Sequence, residues 1–236
     1  MEALDFARCS ALNNIPSKKL QYIIDGINNS NDPQAIKAIK ITATLRYAES
    51  NIPLEYWNLR MEKDFVGDPR LKQRYDEYVL DFNKSYIDGK SICFIGSHGT
   101  GKTSVSTCIL KKAAQKNYSC LYTTFSDIIA VLTQASNEDK FLARQELNKV
   151  DFLVIDEVDV RFVGNSDQAA DLFARSLEGV FRTRSQNTLP TLMCSNSPNF
   201  LESFNGTLKA SLSSLVRGKV ETFVVLGEDH RQKEIK

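Results

Sequence analysis

The chain has 236 residues, with 30 basic and 29 acidic side chains, so its formal net charge is only +1. A hydrophobic fraction of 42% and a charged fraction of 25% are ordinary for a globular protein, and the length allows one medium α/β domain with a small appendage. The near-zero net charge excludes a global basic field of the kind that attracts nucleic acid, so any DNA contact has to come from a local patch.

Membrane-spanning and zinc-binding functions find no support in the sequence. No apolar run approaches the roughly 18 residues of a membrane span, and the first residues lack a basic segment followed by an apolar stretch, so we expect no secretion signal. The five cysteines form no Cys-x-x-Cys pair, which argues against a zinc site. Their odd number and apolar surroundings indicate reduced, buried thiols and a cytosolic protein.

Two helices are expected ahead of the main domain. Apolar side chains recur at helical spacing in the first of them, at Leu20, Ile23, Ile24 and Ile27. A polar stretch then leads to Pro33, a residue that suits the first turn of a second helix. Because such short helices bury little by themselves, they either pack on the main domain or present an apolar face to a partner. We predict an N-terminal helical partner-docking region over 1–48 and the main domain over 49–236.

Strands and helices alternate after an amphipathic helix predicted over 70–85. Apolar strands are predicted over 91–95, 120–124, 152–156, 191–195 and 222–226. Helices are predicted over 101–115, after a capping Ser126, around 168–182 and as short pieces near 199–216. Repeated βα units of this length predict an α/β fold, in which a parallel sheet has helices on both faces.

A phosphate-binding loop is predicted between the first strand and the helix that follows it. The segment from Gly96 to Thr103 matches G-x-x-x-x-G-K-[ST] at every fixed position. Its glycines let backbone N–H groups approach phosphates, Lys102 would reach the β- and γ-phosphates, and the Thr103 hydroxyl would hold Mg²⁺. The candidate nucleotide-binding residues are Gly96, Ser97, His98, Gly99, Thr100, Gly101, Lys102, Thr103 and Ser104.

Two further groups are expected at the ends of neighbouring strands. A fully apolar strand, as expected at the centre of a parallel sheet, ends in Asp156 and Glu157. Asp156 is suited to support Mg²⁺, and Glu157 is suited to polarise an attacking water as a general base. Asn196 follows the next strand and could orient that water or touch the γ-phosphate. Together these residues favour hydrolysis of a nucleoside triphosphate.

These three elements, in this order and spacing, resemble an AAA+ P-loop ATPase core. Over roughly 50–236 the chain is similar to the DnaC/DnaI-type replicative helicase loaders and the related IstB transposition helper ATPases. The similar stretches are Ile52-Pro53-Leu54-Glu55-Tyr56, residues 121–129, residues 184–191 with Ser195-Asn196, and Gly227-Glu228-Asp229-His230-Arg231. The resemblance implies an AAA+ core with a small N-terminal helical extension, which lacks the zinc-binding cysteines of the DnaI subgroup.

The resemblance also assigns two arginines. Arg231 would be the second sensor arginine. The arginine finger that acts on a neighbouring subunit lies, in that family, in a helix before the last strand. Here the only arginine of that helix is Arg217, beside Gly218 and about one helical turn late. A finger in a shifted position, a degenerate finger and a solvated arginine remain open.

The leading functional hypothesis is a helicase loader. The resemblance implies a protein that uses ATP and Mg²⁺, forms an ATP-dependent homo-oligomer, binds single-stranded DNA and delivers a hexameric replicative DNA helicase. Its place would be the cytoplasm of a bacterium, or of the bacterial host of a phage. The candidate DNA contacts are Arg161, Phe162, Arg182 and Arg184, where cations would neutralise phosphates and an aromatic ring would stack on a base. A solvated helix face is the alternative for each of these residues.

Two other hypotheses stay open. An IstB-like helper would position a transposase on duplex DNA; it shares the ATPase core, so only its partner distinguishes it. A small-molecule P-loop kinase would phosphorylate an acceptor. It is disfavoured by Glu157, which a kinase would not need, and by the lack of an obvious arginine-rich lid.

Overall fold

A five-stranded sheet in which every neighbouring pair of strands is parallel organises the chain. The computed structural model describes residue 12 and residues 15–158, 167–197, 214, 218, 220–227 and 229. The strands are β1 (Ser91–Ile95), β2 (Cys120–Thr124), β3 (Phe152–Asp156), β4 (Thr191–Ser195) and β5 (Val220–Val224). The helices are α1 (Ser17–Asn28), α2 (Gln34–Glu49), α3 (Pro69–Leu80), α4 (Phe82–Ile87), α5 (Lys102–Gln115), α6 (Phe125–Gln134), α7 (Asn137–Lys149) and α8 (Asp167–Gln186), with a short 3-10 turn over Leu54–Tyr56.

The order of strands across the sheet is β2-β3-β4-β1-β5. Strand β4 therefore lies between β1, which leads into the phosphate loop, and β3, which ends in the acidic pair. Because parallel strands present their carboxyl ends at one edge of the sheet, this order brings the residues after β1, β3 and β4 together. The predicted α/β fold, a parallel sheet flanked by helices, is confirmed.

Two apolar clusters cover the two faces of the sheet. Along β1, Cys93 and Ile95 belong to one cluster and Ile92 and Phe94 to the other, as the alternation of a strand requires. The first cluster includes residues of α6, α7 and α8, and the second includes residues of α2, α3, α4 and α5. Burial on both faces explains why the strands read as continuous apolar runs.

The N-terminal helices lie on the second cluster. Helix α1 has no fully buried residue, although Leu20 and Ile23 are partly buried against that cluster. Helix α2 buries Tyr47 and Ala48 near its end. Tyr22 and Ile39 stay 80% and 65% exposed. The pair therefore combines contacts with the main domain and apolar side chains that face solvent, and the predicted boundary after residue 48 stays a prediction.

The segment after α2 covers the outer edge of β2. The Tyr122 N–H donates to the Ser50 carbonyl at 2.8 Å. The Asn51 side chain donates to the Tyr122 carbonyl at 3.1 Å and to the carbonyl of Leu12, a buried residue, at 2.7 Å. Both backbone groups of Tyr122 at this edge are therefore satisfied from outside the sheet.

Several predicted boundaries were wrong. The helix expected over 70–85 is split at Asp81, whose carboxylate accepts from the Lys84 N–H and so begins a new helix. The cap of α6 is Thr124, which forms a capping box with Asp127, and not Ser126. Helix α7 was not predicted, and β5 begins two residues earlier than expected. The short helices expected near 199–216 lie outside the described residues, apart from residue 214.

Candidate nucleotide site

The loop between β1 and α5 has the backbone shape that the glycines of the motif permit. Gly99 and Gly101 have φ angles of 70° and 96°, in the left-handed region that favours glycine. At Gly96 a side chain is excluded, because a Cβ would lie 2.6 Å from the Val225 carbonyl oxygen. The loop then runs directly into α5, whose first residue is Lys102. Its backbone N–H groups thus precede a helix N-terminus, the arrangement that binds phosphate.

Lys102 lies inside this loop. Its side chain is 5% exposed. Its ammonium donates to the carbonyls of Gly96 at 3.0 Å and Ser97 at 2.6 Å, and to the Thr100 hydroxyl at 3.4 Å. A buried cation enclosed by the loop is the group expected to attract phosphate oxygens.

Asp156 is held by a residue that the sequence did not single out. Its Oδ2 accepts from the Tyr122 hydroxyl at 2.7 Å, and its Oδ1 accepts from the Glu157 N–H at 2.8 Å. Burial, reinforced by the neighbouring carboxylate, raises the pKa of Tyr122, so the phenol keeps its proton and remains a donor. Tyr122 pairs with Val154 in the parallel register, and Val154 and Asp156 point to the same face of β3. That alternation was the signal that could have found Tyr122.

Glu157 follows β3 in a strained conformation. Its φ angle of 53° places a non-glycine residue in the left-handed region, and its side chain is exposed. The next residue fixes the segment to β4: the Val158 N–H donates to the Cys194 carbonyl at 2.9 Å, and the Ser195 hydroxyl donates to the Val158 carbonyl at 2.7 Å. Backbone strain of this kind is frequent at functional sites.

One cleft collects most of the predicted nucleotide-site residues. It has a volume of about 310 Å³. One side is lined by His98, Gly99, Thr100, Gly101, Lys102, Thr103 and Ser104, together with Asp156, Glu157 and Asn196. The remaining predicted loop residues, Gly96 and Ser97, contribute the carbonyls that accept from Lys102. The structure therefore brings the loop, the acidic pair and Asn196 into one place.

Another wall of the cleft comes from the segment 55–66 that precedes the sheet. Its lining residues are Glu55, Tyr56, Leu59, Asp64 and Val66. Sequence reasoning noticed Ile52 to Tyr56 as a family-like stretch but gave it no place in the site. The ring of Phe65 closes on the loop, since a Cβ on Gly101 would lie 2.9 Å from it.

Arg184, one of the expected DNA contacts, lies in the interior of the protein. Its side chain is fully buried. The guanidinium donates to the Thr191 hydroxyl at 2.8 Å and to the carbonyls of Leu147, Val150, Asp151 and Pro190 at 2.7 to 3.3 Å. Burial lowers the pKa of Arg184, and the carbonyl oxygens compensate for the lost water. A guanidinium engaged in this way cannot reach a DNA phosphate, so the expectation for Arg184 was wrong.

The other predicted arginines are placed differently. Arg182 is exposed on α8 and pairs with Glu178 one turn earlier, at 2.6 Å. Arg161, Phe162, Arg217 and Arg231 lie outside the described residues. Asp229, two residues before Arg231, does lie against the phosphate loop, because a Cβ on Gly99 would meet its carboxylate. The roles of these residues stay predictions.

Neither a cluster of metal ligands nor a membrane-spanning helix is present among the described residues. Across the described ranges, His, Cys, Asp and Glu side chains form no group of three or more that could hold a metal ion. Among the described residues, no helix has both the length and the apolar composition needed to cross a membrane.

The loop, the acidic strand end and the intervening strand β4 define a P-loop nucleotide-binding protein with the AAA+ fold. The sequence model of the IstB-like ATP binding proteins matches residues 60–193. Since that match covers more than half of the chain, the protein belongs to this family, and the resemblance found in the sequence is confirmed.

Solved structures with a similar fold include several replication proteins. DnaI has a TM-score of 0.59 and 19% identity, and the match covers 76% of this chain and 94% of DnaI. The DnaC helicase loader has a TM-score of 0.58 and 20% identity, covering 74% and 100%. AMPPCP-bound DnaA from Aquifex aeolicus has a TM-score of 0.54 and 22% identity, covering 78% and 54%. At these identities the likeness is one of fold.

One curated protein is similar over a short stretch. The Lon protease homolog, mitochondrial 1, of Dictyostelium discoideum is 35% identical over 66 residues, which is 28% of this chain. The chain spans only 7% of the length of that protein. The similarity is therefore local.

Proposed function

We propose that the protein hydrolyses ATP, and the single observation that carries this proposal is the position of Glu157. Its carboxylate lines the same cleft as Lys102 and Asn196. Lys102 would bind the phosphates, Asn196 would orient a water, and Glu157 would accept the proton of that water as it attacks the γ-phosphorus. Release of phosphate without any phosphorylated acceptor would distinguish hydrolysis from kinase activity.

Mg²⁺ fits the oxygen donors of this cleft. The Thr103 hydroxyl and the Asp156 carboxylate both line it, and hydroxyl and carboxylate oxygens are the ligands that this hard cation prefers. When bound, the ion would neutralise charge on the phosphates. Tyr122 would keep Asp156 oriented toward that task, since a hydrogen bond from outside the first coordination sphere fixes a ligand's direction.

The nucleoside end of ATP would lie against the wall formed by the segment 55–66. The loop and the acidic pair account for the phosphate end, so the side chains of Tyr56, Leu59 and Val66 remain for the base and sugar. Aromatic and aliphatic side chains with a few polar groups are typical of such pockets.

We further propose that ATP binding and hydrolysis serve to load a replicative DNA helicase onto single-stranded DNA during replication initiation, in an ATP-dependent homo-oligomer. Family membership and the fold shared with the DnaC helicase loader support this proposal. Within it, residues 1–48 dock the helicase, with the exposed Tyr22 and Ile39 as apolar anchors. Arg217 and Arg231 remain the proposed finger and second sensor.

The test is co-purification with the replicative helicase of the host, followed by delivery of that helicase to single-stranded DNA. The double substitution of Tyr22 and Ile39 by serine should abolish co-purification while ATP binding persists, because both side chains already face solvent. Leu80→Ser is the matched control, since Leu80 is 88% exposed on a different helix, α3. Equal loss with both proteins would contradict docking through α1 and α2.

A transposition helper remains the second candidate because the matching family is named for IstB. The two functions separate by partner and by DNA. Capture of a transposase, together with stimulation of ATP hydrolysis by duplex DNA and not by single strands, would favour the helper.

A further inference from the structure

We propose that Lys111 is a positioning residue for nucleotide binding, which fastens the nucleoside wall of the cleft to the helix that carries the phosphate site. This inference rests on the proposed nucleotide function of the cleft. It concerns a lysine that lies outside the cleft and that the phosphate-loop motif does not include.

The ammonium of Lys111 is bonded to the backbone of the wall. It donates to the carbonyls of Tyr56 at 2.7 Å, Trp57 at 3.2 Å and Leu59. An ammonium has three N–H donors, so these three acceptors use all of them. The Leu59 carbonyl also accepts from the Cys108 thiol, one turn earlier on α5, at 3.8 Å. Side chains of helix α5 thus form hydrogen bonds with three backbone carbonyls of the wall.

The environment of Lys111 is unusual for a lysine. The residue is only 7% exposed, and its ammonium lies 5.7 Å from the centre of the Tyr47 ring. None of the salt bridges formed between described residues includes it. A cation removed from water is costly unless its donors are satisfied, so the carbonyls of the wall are the groups that make this burial tolerable. Burial lowers the pKa of Lys111.

A second cavity borders the same segment. It has a volume of about 580 Å³ and is lined by Trp57, Leu59, Arg60, Met61 and Lys111 among others. Leu59 lines this cavity as well as the nucleotide cleft. Trp57 and Met61 pack into the core, so the hydrogen bonds from Lys111 act together with these apolar contacts to fix the wall.

The helix α5 links the two halves of the cleft. Lys102 begins it and Lys111 comes nine positions later, which corresponds to about 13 Å along the axis. Tyr56 and Leu59, whose carbonyls accept from Lys111, both line the cleft. The rigid helix α5 thereby sets the distance between the phosphate loop and the wall that would contact the nucleoside. Loss of Lys111 should make the position of the wall less fixed and leave the phosphate loop unchanged.

The experiment compares two ligands of the full chain by isothermal titration calorimetry. ATP would contact both the phosphate loop and the nucleoside wall, whereas inorganic triphosphate would contact the phosphate loop alone. Lys111→Met should raise the Kd for ATP about tenfold, the effect of roughly one lost hydrogen bond to a charged group, and should change the Kd for triphosphate less than about twofold. Lys112→Met, the same change one residue further along α5, should bind both ligands as the unaltered protein does.

The outcomes are distinct. Equal weakening of both ligands, or no weakening of either, overturns the positioning role of Lys111. If Lys111→Met does not fold, Lys111→Gln decides, because its amide can still donate to two of the three carbonyls and should give a smaller but still ATP-selective loss. If the unaltered protein binds neither ligand, the proposed nucleotide function fails, and this inference fails with it. Binding of triphosphate and not of ATP by the unaltered protein would overturn the role of the wall alone.

Discussion

The Tyr122 hydroxyl donates a 2.7 Å hydrogen bond to Asp156, a buried carboxylate at the end of strand β3. The tyrosine comes from the neighbouring strand β2, so the orientation of the carboxylate depends on the register of two parallel strands. Asp156 is therefore supported by the sheet itself, and its position relative to the phosphate loop is set by the fold.

Removing the Tyr122 hydroxyl should weaken the binding of Mg²⁺ in the cleft. In Tyr122→Phe, Asp156 keeps only its bond from the Glu157 N–H and turns more freely, so the Mg²⁺ concentration for half-maximal ATP hydrolysis should rise about tenfold, at the low end for such supporting groups. Tyr86→Phe is the matched control, because it removes a Tyr–Asp hydrogen bond of 2.6 Å, to Asp151, outside the cleft. An equal Mg²⁺ requirement in both variants would show that Tyr122 does not serve the metal.

Lys102→Ala should abolish hydrolysis and weaken ATP binding. The substitution removes the only cation that lies within the loop among the described residues, and with it the charge that would pair with phosphate oxygens. Fluorescent nucleotide titration and phosphate release measure the two effects. Lys112→Ala, on the same helix, should behave as the unaltered protein, and full turnover by a folded Lys102→Ala protein would rule out this loop as the phosphate site.

Glu157→Gln should separate binding from hydrolysis. The amide is similar in size but cannot take a proton, so ATP should stay bound while turnover falls by about 10²–10⁴-fold, the usual contribution of a general base. Single-turnover assays at saturating ATP give the chemical step directly. The control Glu138→Gln changes an exposed residue of α7 and should have no effect. If binding and turnover fell together in Glu157→Gln, the residue would be structural.

Arg184→Met should destabilise the fold without touching the cleft. The change leaves the buried carbonyls of Leu147 and Val150 without the guanidinium that donates to them, at a cost of about 1–3 kcal/mol each, although relaxation will make the total smaller than their sum. Urea unfolding should show a loss of several kcal/mol. Arg144→Met, at an exposed position of α7, should lose almost nothing. A small change in Arg184→Met would mean that water can replace the guanidinium.

Arg182→Ala tests the remaining described DNA contact. If its guanidinium binds one phosphate of single-stranded DNA, the slope of log affinity against log salt should become shallower by about 0.7. Fluorescence anisotropy with an oligonucleotide at several salt concentrations measures that slope. Arg144→Ala serves as the control, and an unchanged slope in Arg182→Ala would assign the side chain to its pair with Glu178 alone.

The sequence predicted the strands well because their burial is encoded locally. β1 to β4 are apolar runs buried on both faces, and their predicted bounds match the structure. Helix α7 was missed because only Ala143 and Leu147 are fully buried in an otherwise polar stretch. The break at Asp81 was missed because its side chain can cap the next helix only when its own backbone is non-helical, which the sequence pattern does not show.

Within the site, motifs predicted the groups that would meet ATP, and tertiary contacts supplied the rest. The loop, Asp156, Glu157 and Asn196 stand at fixed points after strands, so spacing located them. Tyr122 acts on a residue 34 positions away and Lys111 on carbonyls 52 to 55 positions away, so their roles depend on the tertiary arrangement. Arg184 was misread because a charged residue is normally exposed, and only the converging carbonyls of four residues explain its burial.

The bonds from Ser50 and Asn51 to Tyr122 have a consequence for self-association. A strand at the margin of a sheet normally offers unpaired backbone groups that can capture a strand of another molecule, and this is a common route to aggregation. At Tyr122 both groups are already taken by the segment that leads out of α2. Copies of the protein would therefore be less able to join at the Tyr122 position of β2, and the proposed homo-oligomer would have to form through other surfaces.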